Sequence, residues 1–319
     1  MSYNQYPITE DEKELWFRAE MNKRQFKALA HRLNNADIEN EILNNQYYQT
    51  RISQSARYSN IEVNQWLKNS WNTERILYQN LDIVNNTRQS FCMQWAFPQA
   101  YYAVFGNVIA MFKAIGYTEM SHTAVLKKYA KTMTENKLPE SLAICCNGIN
   151  NAFTYHNIDL PEVIGGHMDL DLEESSTIDH HICQFLRATR KLRLKEKAPK
   201  MNFRTQSGAK RKNLTSVHWT QVSNSIGPTS ILDFLYRKRI KGNYQDIETY
   251  NCPYFDGQSV LTDLISTVNR LNLCNESYLS KAIGFENYKS IAQNHLGNVD
   301  NSLLERRIET ISQIEQASR

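Results

Sequence analysis

The residues of this chain with the clearest chemical potential lie in one short segment, YRKRIKGNY, at residues 236–244. Arginine and lysine side chains bind phosphate oxygens, and an arginine can do so with two parallel N–H donors. A tyrosine with an ordinary pKa near 10 is a poor base at neutral pH. The segment predicts a phosphate-contacting patch of cations that includes Arg239, with Tyr244 beside them. Its flanking polar residues are Arg237, Lys238, Lys241 and Asn243.

The same cations have a structural explanation. Lysine and arginine are favoured in the last turn of a helix, where they complement the negative end of the helix dipole. Spacing alone leaves both interpretations open.

A second cationic stretch covers residues 187–212. Arg190 and Lys191 lie three and four residues after Arg187, so on a helix these three cations share a face. Phe203, His218 and Trp219 are close in sequence and could stack on bases. The stretch predicts a nucleic-acid contact, and the alternative is a solvated helix face followed by a flexible loop. The residues of the predicted contact are Arg187, Arg190, Lys191, Arg211 and Lys212.

Other kinds of site find little support in the sequence. His167, Asp169, Asp171, His180 and His181 include possible metal ligands, but their spacing matches no established metal signature. There is no GxSxG nucleophile motif, no P-loop and no dinucleotide-binding glycine fingerprint. We expect no metal ion and no other cofactor.

The composition is that of an ordinary globular protein. The 319 residues include 41% apolar and 22% charged residues, with a formal net charge of +4. No apolar stretch approaches the roughly 18 residues that span a bilayer, so we expect no membrane insertion. The six cysteines fall at irregular spacings without a CxxC pair. This pattern favours reduced, buried thiols and a cytoplasmic location.

Only 11 glycines and 7 prolines interrupt the chain, and apolar residues recur at helical spacing. We therefore predict an all-α fold. Its parts are an N-terminal helical extension (residues 1–60), a helical bundle (61–295) with a long basic insertion (148–225), and a C-terminal tail helix (296–319). The predicted helices cover residues 8–35, 61–87 with a break near 72–73, 90–116, 121–137, 138–146, 179–194, 227–241, 259–272, 276–293 and 301 onward.

Three of these segments resemble parts of the HEPN superfamily, whose members are small helical bundles that often bind or cut RNA. The aromatic run Tyr101-Tyr102-Ala-Val-Phe105 is similar to the second helix of the family, and the segment SHTAVL at 121–126 to the start of its third. Residues 236–244 are similar to a late helix that bears an arginine and, a few residues on, a histidine or tyrosine. The resemblance covers about residues 61–295 and implies a HEPN-like helical bundle.

The resemblance also implies a function. It suggests an RNA-binding or RNA-cleaving protein of a prokaryotic defence or toxin-antitoxin system, acting as a homodimer, with tRNA among the possible substrates. Arg239 and Tyr244 take the catalytic positions of the family. Cleavage would be metal-independent transesterification that leaves a 2′,3′-cyclic phosphate. Arg239 and Tyr244 must then lie against residues 101–105.

One departure from the family pattern affects this expectation. Nuclease members place a histidine a few residues after the arginine, and none follows Arg237 or Arg239 at that distance. Since tyrosine is a weak base, binding without cleavage is the favoured form of the hypothesis. The alternative is a non-catalytic helical interaction subunit that docks a partner enzyme in a defence complex.

Overall fold

A computed structural model of the chain describes residues 9–50, 52, 59–87, 93–149, 152–161, 169–244, 247–251, 256–297 and 301–318, without the side chains of residues 85–87, 243, 244, 247 and 251. This part of the chain forms thirteen α-helices, one 3-10 helix and three short strands, so the all-α prediction is confirmed.

The helices are α1 (Glu10–Asn35), α2 (Ile38–Asn44), α3 (Gln46–Thr50), α4 (Asn60–Thr87), α5 (Met93–Ala114), α6 (His122–Thr134), α7 (Ser175–Lys197), α8 (Ser216–Ile226), α9 (Ile231–Tyr244), α10 (Ile247–Asn251), α11 (Gly257–Ile283), α12 (Phe285–Leu296) and α13 (Ser302–Ala317). The strands are β1 (Cys145–Ile149), β2 (Ala152–His156) and β3 (Thr229–Ser230), and the 3-10 helix is Ala198–Lys200.

Helix α5 is the centre of the bundle and packs against α4, α9 and α11. Its apolar residues are buried along almost its whole length, as expected for a helix that is hydrophobic on every side. Gly106 allows close packing of α4, because a Cβ there would stand 3.4 Å from the Cβ of Ser70. The Ser70 hydroxyl donates to the Ala103 carbonyl at 2.5 Å. Pro98 lies inside α5 without ending it.

One continuous core joins the segments that the sequence analysis divided into extension, bundle and tail. It includes Phe26 of α1, Phe105 of α5, Leu264 of α11 and Ile311 of α13. The terminal helices therefore bury their apolar faces against the same core as the central helices.

The predicted short helix at residues 138–146 is wrong. Only a single turn forms there, with the amide of Ala143 bonded to the Pro139 carbonyl at 2.9 Å. Cys145 and Cys146 instead lie in β1, which pairs antiparallel with both β2 and β3. Both thiols are buried, as the sequence analysis expected for core residues.

The predicted insertion has more structure than its composition suggested. Helix α7 runs through the first basic residues to Lys197, and α8 follows at 216–226. Leu194, Val222 and Ile226 form a small separate core between these two helices. Within the described residues, no helix combines the length and apolar character needed to cross a membrane.

Candidate functional site

Helix α9 is held in place at both ends. At its start, Asp233 accepts hydrogen bonds from the amide of Ser230 at 2.8 Å and from its hydroxyl at 3.2 Å. Near its end, Gly242 faces α5, and a Cβ there would stand 3.1 Å from both the Gln94 carbonyl and the ring of Phe97. The lack of a side chain at Gly242 lets α9 approach α5 closely. The third turn of α9 is thereby brought against the aromatic residues of α5.

Arg239 lies in a ring of tyrosines formed by that approach. Its guanidinium carbon stands 5.4 Å from the ring centre of Tyr101, 5.2 Å from that of Tyr102 and 5.0 Å from that of Tyr236. One guanidinium nitrogen donates to the Tyr102 hydroxyl. The expected approach of Arg239 to residues 101–105 is confirmed. A cation over aromatic faces is attracted by their quadrupoles, so the rings orient the guanidinium while leaving it partly exposed.

A histidine that the sequence analysis did not select completes this group. His122 is the first residue of α6, and its Nδ1 is 2.9 Å from the Tyr101 hydroxyl. Its ring stacks on Phe105 with centres 4.4 Å apart and planes 6° apart. We call Tyr101, Tyr102, His122, Tyr236 and Arg239 the Arg239 cluster.

The electrostatics of the cluster keep the imidazole neutral. Partial burial lowers the pKa of His122 below its ordinary value of 6.5, and the positive charge of Arg239 lowers it further. Burial raises the pKa of Tyr101 far above its ordinary value, so its phenol stays protonated. Nε2 is the nitrogen left to meet a substrate, and it is a proton acceptor when Nδ1–H donates to the Tyr101 hydroxyl oxygen. The cluster thus combines a fixed cation, a protonated phenol and a neutral imidazole.

No spacing rule links His122 to Arg239. In the sequence, His122 is recognisable only as the residue that follows the N-cap Ser121. The two residues lie on different helices and meet because both pack against Tyr101 and Tyr236. Only the packing of α6 and α9 on α5 reveals the pair.

The other predicted residues of α9 point in different directions. Lys238 is 7% exposed, donates to Asn22 and lies over the rings of Phe26 and Phe234, so it faces the core. Arg237 donates to the Thr189 hydroxyl of α7 at 3.3 Å. Lys241 and Arg237 both line a cavity between α6, α7 and α9. Asn243 and Tyr244 belong to the last turn of α9, and their side chains lie outside the described residues.

The predicted cations of α7 do not share one surface. Arg190 is 1% exposed, and its guanidinium donates to the carbonyls of Gly148 and Gly227, each at 2.8 Å, and to the Ser223 hydroxyl at 2.6 Å. The expectation of an RNA contact at Arg190 is therefore not retained, because its donors hold the sheet and α8 together. Arg187 and Lys191 instead lie over the Phe153 ring at 5.4 and 6.0 Å.

Arg211 and Lys212 line a groove of about 750 Å³ that also contains Phe203 and Trp219. The backbone amide of Arg211 donates to the Phe203 carbonyl at 2.8 Å, which holds the main chain at the two residues together. We call this the insertion groove. Cations and aromatic rings are therefore adjacent there, as the sequence analysis anticipated. The groove is a second surface, built from α7, α8 and the loop between them.

The residues considered as metal ligands form no metal-binding group in the described part of the chain. The ring centres of His180 and His181 are 5.8 Å apart with an angle of 83° between the ring planes, and His167 lies outside the described residues.

Comparisons with protein-family models, with curated proteins and with solved structures found no match to this chain. Its function must be argued from its own residues.

Proposed function

We propose that this chain is a HEPN-like RNA-binding protein whose Arg239 cluster contacts the phosphate backbone. The observation that carries the proposal is the convergence of Arg239 with Tyr101 and Tyr102. The partly exposed guanidinium provides a charge-assisted contact to phosphate, and the ring of Tyr102 beside it is 39% exposed and can stack on a base. From the resemblance to the HEPN superfamily we further propose that it acts as a homodimer in a prokaryotic defence or toxin-antitoxin system, and from the cysteine pattern that it is cytoplasmic.

The proposal extends to cleavage because His122 supplies the imidazole that α9 lacks. In this step His122 is the tautomer whose Nδ1–H donates to the Tyr101 hydroxyl oxygen, so Nε2 is unprotonated and takes the proton of a ribose 2′-hydroxyl. The 2′-oxygen attacks the adjacent phosphorus. The bond from phosphorus to the 5′-oxygen breaks, and that oxygen takes a proton from water. Arg239 stabilises the added negative charge on the phosphate. The products are a 2′,3′-cyclic phosphate and a 5′-hydroxyl end.

The test is incubation of the purified protein with total RNA in EDTA, followed by a gel that separates shifted from cleaved RNA. We expect Arg239→Ala to lose both RNA retention and cleavage while its circular dichroism spectrum is unchanged. Arg18→Ala is the matched control, because Arg18 is an exposed arginine of α1 that pairs with Glu14. Equal RNA retention by wild-type protein and Arg239→Ala would refute the proposal.

A second candidate function is supported by large hydrophobic side chains exposed on α4 and α5. On α5, Trp95 is 58% exposed and Tyr102 39%, and their spacing of seven residues puts them on one face. On α4, Ile76 and Ile83 are 45% and 47% exposed with the same spacing. Exposed apolar residues on neighbouring helices are typical of a protein-docking surface.

A pull-down from the native host with mass spectrometry distinguishes the two functions. A stoichiometric protein partner that is lost in Trp95→Ser favours the interaction subunit that docks a partner enzyme. RNA that copurifies with wild-type protein and is lost in Arg239→Ala favours the first function.

A further inference from the structure

We infer that a cavity between the first halves of α1 and α7 binds an organic cation of the quaternary ammonium class. The cavity has a volume of about 200 Å³. Its lining residues are distinct from those of the Arg239 cluster and of the insertion groove. The inference therefore goes beyond the proposed function and does not depend on it. We call this space the α1–α7 cavity.

Four rings contribute to the walls of the α1–α7 cavity. Trp16 and Phe17 are consecutive on α1, so their side chains leave the helix about 100° apart. They are 40% and 41% exposed. His180 and His181 are consecutive on α7, and their ring planes are 83° apart. Two pairs of rings on two packed helices therefore face the space from different directions.

Contacts within and between the two helices hold these rings in place. Helix α1 packs against α7, and Arg32 of α1 pairs with Asp179 of α7 at 2.7 Å. The amide nitrogen of Gln184 lies 2.8 Å from Nε2 of His180, and this hydrogen bond fixes the orientation of the imidazole. A ligand would thus enter a cavity that is already formed, which reduces the entropy cost of binding.

The charged residues of the cavity leave a net negative charge. Its lining holds the carboxylates of Glu20 and Asp169 and the guanidinium of Arg24. Arg24 contacts Glu20 at 2.9 Å and Asp169 at 3.0 Å, so one cation is shared by two anions. Burial lowers the pKa of His180 below its ordinary value of 6.5, so this ring adds no positive charge at neutral pH. A ligand with one positive charge would balance the lining.

A methylated ammonium group matches both the rings and the charge. The faces of aromatic rings attract cations, and cages of such rings are the usual means of recognising quaternary ammonium groups. A metal ion fits less well, because no group of histidine, cysteine and acidic side chains among the described residues is arranged to hold one. An anion would be repelled by the net charge of the lining.

Two sources present this chemistry. One is a free small molecule such as choline, and the other is a trimethylated lysine side chain of a partner protein. Both carry the same trimethylammonium group, so the experiment measures the site with the first and the source with the second.

The test is a titration of the full-length protein with choline, followed by ligand-observed NMR of the methyl signal. The matched ligand is 3,3-dimethylbutan-1-ol, which has the shape of choline without its charge. We expect choline to bind at least about tenfold more tightly than the alcohol, because only the cation is attracted by the rings and the carboxylates.

Two sets of variants test the walls and the charge separately. Trp16→Leu should weaken choline binding at least about tenfold, and Trp16→Phe, which keeps an aromatic face, should restore most of it. Glu20→Gln should weaken binding about two- to fivefold, because it removes one negative charge from the lining. Glu10→Gln is the matched control, since it removes the same charge from the exposed first turn of α1.

The outcomes separate the inference from its alternatives. Equal affinity for choline and the alcohol would overturn it, as would equal weakening in Trp16→Leu and Trp16→Phe or in Glu20→Gln and Glu10→Gln. A trimethyllysine peptide that displaces choline and binds more tightly identifies a partner protein as the source, and a peptide that binds no better identifies a free small molecule. If neither choline nor the peptide binds to wild-type protein, the inference is wrong.

Discussion

At the scale of single residues, the Arg239 cluster joins side chains whose roles depend on one another. Tyr101 contacts both other functional groups, through its hydroxyl to His122 and through its ring to Arg239. A change at Tyr101 should therefore affect both proton transfer and phosphate contact. A change at His122 should act on proton transfer, and a change at Arg239 should act on phosphate contact.

The lowered pKa of His122 predicts the pH dependence of cleavage. A histidine that accepts a proton is active only when neutral, so activity falls as the pH drops through its pKa. Because burial and Arg239 lower that pKa, the midpoint should lie below 6.5. The cleavage rate in EDTA should be level at higher pH and decline on the acid side of that midpoint.

The matched variants for this prediction are His122→Gln and Tyr101→Phe. The first keeps a polar side chain without a base and should abolish cleavage while RNA retention persists. The second removes the bond to Nδ1 and should lower the plateau rate. An acid limb that persists unchanged in His122→Gln would show that another group is the base.

Replacement of two neighbouring arginines of α7, Arg190 and Arg187, should have very different effects on the free energy of unfolding. Arg190→Ala removes the hydrogen bonds to the partly buried carbonyls of Gly148 and Gly227 and to the Ser223 hydroxyl, so we expect a loss of about 3 kcal/mol or more in the free energy of unfolding. Arg187→Ala removes only the contact with Phe153, which contributes about 0.5–1 kcal/mol. Urea denaturation followed by circular dichroism measures both. Similar values for the two variants would contradict the structural role of Arg190.

At the scale of helices, local signals in the sequence indicated where most helices begin. Thr9 and Glu12 form the capping box at the start of α1, and Ser121 caps α6. Gly116 follows α5 with a positive φ of 83°, a conformation that glycine commonly adopts just after the end of a helix. These signals act over a few residues, so the sequence alone reveals them.

Helix continuity was harder to predict. The predicted break in α4 near residues 72–73 and the predicted separation of 259–272 from 276–293 are wrong, because α4 and α11 run through these positions. Polar residues at those points suggested turns. In the structure Glu74, Asn272 and Glu276 are buried and bonded to other helices, so the polar residues belong to the core. The actual break comes at Gly284, with a φ of 88°.

The buried carboxylates of Glu74 and Glu276 attach the C-terminal helix α13 to the bundle. Arg307 of α13 is 3% exposed and contacts Glu74 of α4 at 2.5 Å and Glu276 of α11 at 2.7 Å. Glu276 also accepts bonds from Trp71 at 3.0 Å and Tyr288 at 2.6 Å. Burial raises the pKa of Glu276, and the charge of Arg307 opposes that rise. The negative charge of the Glu276 carboxylate is therefore compensated by Arg307 of α13.

Removal of Arg307 should thus destabilise the whole bundle. Arg307→Ala leaves two buried carboxylates without a cation, and breaking a buried pair costs about 3–5 kcal/mol. Arg306→Ala is the matched control, because Arg306 is the exposed neighbour on the same helix. We expect a large loss in unfolding free energy for the first variant and almost none for the second. A loss below about 1 kcal/mol for Arg307→Ala would contradict this role.

At the scale of the whole molecule, the sequence indicated which surfaces are basic but not how they are arranged. A net charge of +4 is small for a chain of 319 residues, so attraction of RNA must come from local concentrations of cations. Folding removes Arg190 and Lys238 from the surface and leaves the Arg239 cluster, the cavity between α6, α7 and α9 and the insertion groove. Which cations are buried depends on contacts between distant elements, and no local spacing encodes it.

The salt dependence of RNA binding tests whether the insertion groove belongs to the RNA path. Each phosphate contact adds about one to the slope of the logarithm of the binding constant against the logarithm of salt concentration. Arg211→Ala/Lys212→Ala should therefore reduce the slope by about two, because both cations line the groove beside Phe203 and Trp219. Lys13→Ala/Lys131→Ala removes the same charge elsewhere and should leave the slope unchanged. If both double variants reduce the slope equally, RNA responds to the overall charge of the protein and the groove is not a contact surface. If only the groove variant does so, a bound RNA contacts the insertion, which then has a direct role in binding.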